Sequence, residues 1–119
     1  DFAVVVNNGP EYTAAAVTTS NRVYAAPVGW TRQAVADGSL HAVVLNSGGA
    51  NACTGEEGYA DTVATAHLAG AKIGVAPGEV AVCSTGLIGE LLNITPEAVR
   101  QRIGLEPMPA READGQTHP

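Results

Sequence analysis

The segment Cys83-Ser84-Thr85-Gly86-Leu87-Ile88-Gly89 puts a hydroxyl and a glycine just after an apolar run, Glu79 to Cys83. Small residues at the carboxyl end of a buried strand leave backbone N–H groups approachable, and a developing alkoxide needs such fixed donors. Thr85 adds a hydroxyl donor beside the Gly86 N–H. The pair suits an oxyanion site for acyl transfer, on a turn leading from strand to helix. The same residues also suit a plain strand-to-helix turn capped by Thr85, and the residue types alone favour that simpler reading.

A second glycine-rich segment, Asn46-Ser47-Gly48-Gly49-Ala50-Asn51-Ala52-Cys53-Thr54-Gly55, also follows an apolar run. A loop of this kind before a helix can cradle an anion with backbone N–H groups. It lacks the Lys-Ser or Lys-Thr of a phosphate loop and the G-x-G-x-x-G spacing of a dinucleotide site. As a structural turn, it would be held to itself by Asn46 and Asn51. His41 and His67 have no carboxylate or nucleophile at a telling spacing and read as structural. Cys53 and Cys83 are too few for a disulfide framework and read as buried, reduced thiols. No cluster has zinc-ligand spacing, so no metal is expected. Trp30 and Tyr59 read as packing residues, and Glu56-Glu57 as first-turn charge on a helix.

The elements that must position these residues follow from the pattern of apolar runs and breakers. Phe2 to Val6 reads as a buried strand, ended by Asn7-Asn8-Gly9-Pro10. Ala14 to Thr18 and Val23 to Val28 read as two strands, or one broken by a turn. Trp30-Thr31 opens a short helix through Asp37, with Gly38 as its stop. His41 to Asn46 is the clearest strand. Thr54 and Glu57 form a capping-box pattern, and the helix they open carries Ala60, Val63, Ala64, His67, Leu68 and Ala71 on one face. Gly70 and Gly74 mark its end, Pro77-Gly78 is a turn, and Glu79 to Cys83 is another strand. Leu87 to Leu92 reads as a short helix or an irregular stretch. Thr95-Pro96 starts a last helix ended by Gly104. Alternating strands and helices predict a mixed α/β layer structure. Residues 1–104 form the structured part, and 105–119 read as a disordered tail.

Composition narrows the function classes. The 119 residues carry a formal charge of −6, with six lysines and arginines in all, so no basic stripe exists to neutralise phosphates. Nucleic-acid binding is not expected. No apolar run approaches the roughly 20 residues of a membrane span, and no signal-peptide pattern opens the chain. Only 4% of residues are aromatic. A core of Ala and Val buries little area per residue, which predicts that the segment leans on another chain or domain.

Two stretches carry a family resemblance: Val44 to Gly55 and Ala81 to Gly89, with Asn7-Asn8-Gly9-Pro10-Glu11-Tyr12 and Ala25-Ala26-Pro27-Val28 in the same order. Together they resemble the bifunctional ornithine acetyltransferase/N-acetylglutamate synthase family of arginine biosynthesis, over residues 1 to 104. The resemblance implies an α/β/β/α-type sandwich, of which this chain is the N-terminal part of the α-chain. It also implies a precursor that cleaves itself before a threonine, which becomes the nucleophile of the β-chain. That threonine takes an acetyl group from N-acetylornithine and passes it to glutamate; some members also accept acetyl-CoA, as a substrate rather than a bound cofactor. By the same resemblance Thr85 and Gly86 form the oxyanion hole. The implied partner is the β-chain, or the rest of the same precursor, in a hetero-oligomer of α and β chains in the cytoplasm.

The family's Lys-Gly-x-Gly-Met stretch, scissile bond and nucleophilic threonine do not occur here. Met108 lies outside any such motif, and Lys72 cannot stand for the substrate-binding lysine. The chain is therefore expected to be a fragment or truncated product, inactive alone. Two alternatives stay open: an inactive module for binding or assembly, and half of a related N-terminal-nucleophile amidase or peptidase.

Overall fold

The computed structural model describes residues 1–88. Three strands form one sheet in the order β1-β2-β3: β1 (Phe2–Val6), β2 (Ala42–Ala50) and β3 (Val80–Ile88). β1 is antiparallel to β2, and β2 is parallel to β3. A parallel pair needs a long crossover. Helix α2 (Gly55–Ile73) supplies it, followed by a short 3-10 turn at Pro77–Glu79. Helix α1 (Ala26–Ala34) lies beside β3. The mixed α/β class predicted from the alternation is the one observed.

The core sits between the sheet and α2. Ala42, Val44, Val80 and Val82 pack against Ala66 and Ala69, flanked by Phe2, Trp30, Ile73 and Val75. The buried face of α2 is Gly58, Thr62, Thr65, Ala66, Ala69 and Gly70, spaced at the helical period. The expected face was a different one: Ala60, His67 and Ala71 are exposed, and Val63, Ala64 and Leu68 are half-buried. Small residues win the buried face because the chain comes too close for larger ones. A Cβ on Gly70 would stand 2.7 Å from the Val75 carbonyl oxygen. Gly74 ends α2 in a left-handed conformation, φ 80°, with its N–H on the Gly70 carbonyl at 2.8 Å.

The start of the outer edge of β3, at Val80 and Val82, is covered by side chains of α1. The Trp30 indole N–H donates to the Val80 carbonyl at 2.8 Å. The Thr31 hydroxyl donates to the Val82 carbonyl at 2.8 Å and accepts from the Val82 N–H at 3.1 Å. These bonds satisfy backbone groups that an edge strand otherwise leaves open.

Several expectations are corrected. Neither Ala14 to Thr18 nor Val23 to Val28 forms a strand; Thr13 makes one isolated bridge to Ser39. Ala26 to Val28 instead open α1, which starts before Trp30 and ends at Ala34. Pro27 accounts for this start, since its fixed φ suits the first turn and its missing N–H costs nothing there. Thr54 stands at the start of α2 but makes no side-chain cap. The readings at Thr95, Gly104 and the 105–119 tail lie outside the described residues.

Candidate active site

Both glycine-rich segments are strand where turns were expected. β2 runs through Ser47-Gly48-Gly49 to Ala50, and β3 through Ser84-Thr85-Gly86 to Ile88. They pair in parallel register, Asn46 with Ser84, Ser47 with Thr85 and Gly48 with Gly86. So Thr85-Gly86 is not a strand-to-helix turn. It is part of a two-strand ledge built from the same kind of residues on both sides.

Glycine is required at Gly86 for two reasons. Its φ is +125°, a region closed to side-chain-bearing residues. A Cβ there would also stand 2.8 Å from the Gly48 carbonyl carbon and 2.9 Å from the Gly49 nitrogen. The partner Gly48 has φ +119°. The two strands thus touch backbone to backbone at this pair, which fixes where the Thr85–Gly86 peptide lies.

Burial tells the two faces of the sheet apart. Ala42, Val44 and Asn46 are buried on the α2 side, while Val43, Leu45 and Ser47 alternate to the other. The Ser84 hydroxyl is engaged on the α2 side: it donates to the Gly49 carbonyl at 3.1 Å and accepts from the Asn51 N–H at 3.0 Å. Thr85, the next residue, therefore projects from the opposite, open face, where it is exposed. Two hollows of about 350 Å³ and 280 Å³ elsewhere on the surface do not include it.

Asn51 ties the end of β2 to the start of α2. Its amide nitrogen donates to the Gly58 carbonyl at 2.6 Å and the Thr62 hydroxyl at 3.0 Å, and its Oδ1 accepts from the Thr54 hydroxyl. It holds the segment to the helix and, through Thr54, to itself as expected. Asn46 does neither: it is 8% exposed, and its Oδ1 has no hydrogen-bond partner among the described residues. Cys53 and Cys83 are free as expected, but both are exposed rather than buried.

The histidines stay apart from Thr85 in the fold. His67 is exposed on α2. His41 does have a carboxylate after all: its Nδ1 lies 3.2 Å from Glu79 Oε1, without the geometry of a hydrogen bond. Tyr12 stacks on its ring with centroids 3.8 Å apart. Spacing along the chain could not reveal this group, because the three meet only in the fold, where the Leu40 N–H donates to the Tyr12 carbonyl and the His41 N–H to the Glu79 carbonyl. On α2, burial and then the nearby Glu57 charge raise the Asp61 carboxyl above its ordinary value of 3.8. Among the described residues no group of three or more His, Cys, Asp or Glu could hold a metal ion.

A profile described as the ArgJ family matches residues 1–108. The chain belongs to the ArgJ family. It is 67% identical over 94 residues to the arginine biosynthesis bifunctional protein ArgJ of Bifidobacterium longum, covering 79% of this chain and 24% of that protein. It is 63% identical over 92 residues to the protein of the same name from Streptomyces coelicolor, covering 77% and 24%. The chain thus spans about a quarter of the length of these curated relatives. Two solved structures share its fold. Ornithine acetyltransferase from Mycobacterium tuberculosis, complexed with ornithine, matches with TM-score 0.78 and 50% identity, over 87% of this chain and 57% of that one. ArgJ of Bacillus halodurans matches with TM-score 0.75 and 38% identity, over 85% and 54%. The amidase or peptidase alternative gives way to this family. Among the described residues of this ArgJ chain no helix is long and apolar enough to cross a membrane.

Proposed function

We propose that this chain is the part of an acetyl-transferring enzyme of arginine biosynthesis that holds the oxyanion. The observation that carries the reading is the Gly48–Gly86 backbone contact, which fixes the Thr85–Gly86 peptide beside an exposed hydroxyl. In this reading a hydroxyl nucleophile from the remaining part of the protein attacks the acetyl carbonyl of N-acetylornithine. The carbonyl oxygen becomes an alkoxide, and the Thr85 hydroxyl and Gly86 N–H donate to it. Collapse of the intermediate releases ornithine and leaves an acetyl-enzyme; glutamate then accepts the acetyl group by the reverse geometry. Acetyl-CoA is a second acetyl donor of the same chemistry, and no bound cofactor is required. Membership of the ArgJ family and the names of its relatives support this assignment. The β-chain or the rest of the precursor is the partner, and the cytoplasm is the place of action.

The test is Thr85→Ala in the complete enzyme. Loss of one oxyanion donor lowers kcat by about 10²–10³-fold. An unchanged kcat removes Thr85 from the mechanism.

A second reading is favoured by one observation. The open face of the sheet carries Val5 at 60% exposure and Leu45 at 36%, a surface suited to assembly. In that reading the chain is an inactive module that only binds. The two separate in an acetyl-transfer assay of the chain mixed with its missing part: restored turnover supports the first, and binding without turnover the second.

A further inference from the structure

We infer that Ser47 is a second hydroxyl donor at the Thr85–Gly86 site, directed at the same acyl oxygen. The inference rests on the oxyanion reading of Thr85 and Gly86 and deepens it. Ser47 pairs with Thr85 across the parallel β2–β3 ladder. Paired residues of a parallel ladder project to the same face, and adjacent strands lie about 4.8 Å apart. Two independent observations fix which face. Ala42, Val44 and Asn46 are buried under α2, so Ser47 faces away from it. The Ser84 hydroxyl is bound on the α2 side to Gly49 and Asn51, so Thr85 faces away as well.

The surroundings suit a shared acceptor. Neither the Ser47 nor the Thr85 hydroxyl makes a hydrogen bond to another described residue, whereas Ser84, one position away, makes two. One side of the hydroxyl row is bordered by Leu45 and Cys83, which offer no strong donor. The other side is the Gly48–Gly86 pair, which carries no side chains, and a Cβ on Gly48 would meet nothing within 4 Å. An acyl group can approach over the glycines and meet two hydroxyls side by side. An oxyanion has lone pairs for two or three donors, and Ser47 supplies one more beyond Thr85 and the Gly86 N–H. The ligand class is a planar amide or thioester carbonyl that becomes tetrahedral.

The experiment uses the complete enzyme with Ser47→Ala, Ser47→Thr and Thr85→Ala, each assayed for kcat and KM. Ser47→Ala is expected to lower kcat by about 10- to 100-fold, toward the low end of a single oxyanion donor, with KM changed less than about twofold. Ser47→Thr keeps the hydroxyl and should keep most of the activity. If Thr85→Ala leaves kcat intact, the oxyanion reading fails and takes Ser47 with it. If Thr85→Ala lowers kcat while Ser47→Ala does not, Ser47 alone is overturned. A Ser47→Ala protein that fails to fold is replaced by Ser47→Cys, close in shape and a weak donor; full kcat in that variant overturns the proposal equally.

Discussion

At the scale of single residues, the candidate site depends on who shares a face and who is already bonded. Ser84 and Thr85 are neighbours in sequence with opposite fates: one hydroxyl joins β3 to the end of β2, and the other stands exposed. Asp61 gives a prediction of its own. Its carboxyl binds a proton more tightly in the folded chain than in the unfolded one, because burial and Glu57 oppose its charge. Folding is therefore favoured by this group below pH 3.8, and that advantage is lost as pH rises through the folded value. At neutral pH the ionised Asp61 works against the fold. Asp61→Asn should raise the melting temperature slightly at pH 7, and the gain should vanish in acid near the ordinary carboxylate range. Equal melting curves at pH 7 would show that Asp61 is relieved some other way.

At the scale of elements, the sequence was legible where large apolar runs meet strong breakers. Phe2 to Val6, the starts of β2 and β3, and the Gly74 stop of α2 all stand where the residues put them, although Phe2 to Val6 is a mostly exposed edge strand rather than the buried one expected. The far halves of β2 and β3 were not legible. Glycines after an apolar run signal a turn, yet here Gly48 and Gly86 lie opposite each other and continue the ladder with their backbones in contact. That arrangement belongs to a pair of strands and cannot be read from either one. The buried face of α2 was hidden for a related reason: Gly58, Thr62, Thr65 and Gly70 are buried for their size, not their hydropathy. Thr85 and Gly86, the proposed oxyanion residues, were expected on a turn and lie on β3 instead; Ser47 comes forward only with the register.

The same scale carries a test of how α1 is held. Thr31 makes both of its bonds to Val82 across 51 residues of chain. Thr31→Val keeps the shape and removes them, leaving the Val82 N–H and carbonyl without their partner. The expected cost is about 1–3 kcal/mol, read as a lower midpoint in urea denaturation. An unchanged midpoint would mean that packing of Trp30 alone holds α1 to the sheet.

At the scale of the molecule, one face of the sheet is covered by α2, and the other is open among the described residues. Val5 and Leu45 lie on that open face together with Thr85. Under the proposed function, an apolar surface beside the exposed Thr85 hydroxyl suits a site shared with the rest of the protein, and the chain spans only a quarter of its curated relatives. Leu45→Lys tests this face. In the complete enzyme it should lower the yield of assembled protein, because a charge would be buried without a partner. Normal yield and activity would mean that the face stays solvated in the whole enzyme.

The bonds from Trp30 and Thr31 to β3 bear on how the sheet can be enlarged. With those side chains occupying the outer rim of β3, a further strand cannot add beside Val80 and Val82 without displacing α1. Among the described residues, β1 is the other edge of the sheet, and no side chain of α1 bonds to it. The ladder therefore has a polarity of growth at this end: a strand recruited beside Val80 and Val82 would have to displace α1, whereas one docking next to Phe2–Val6 would not.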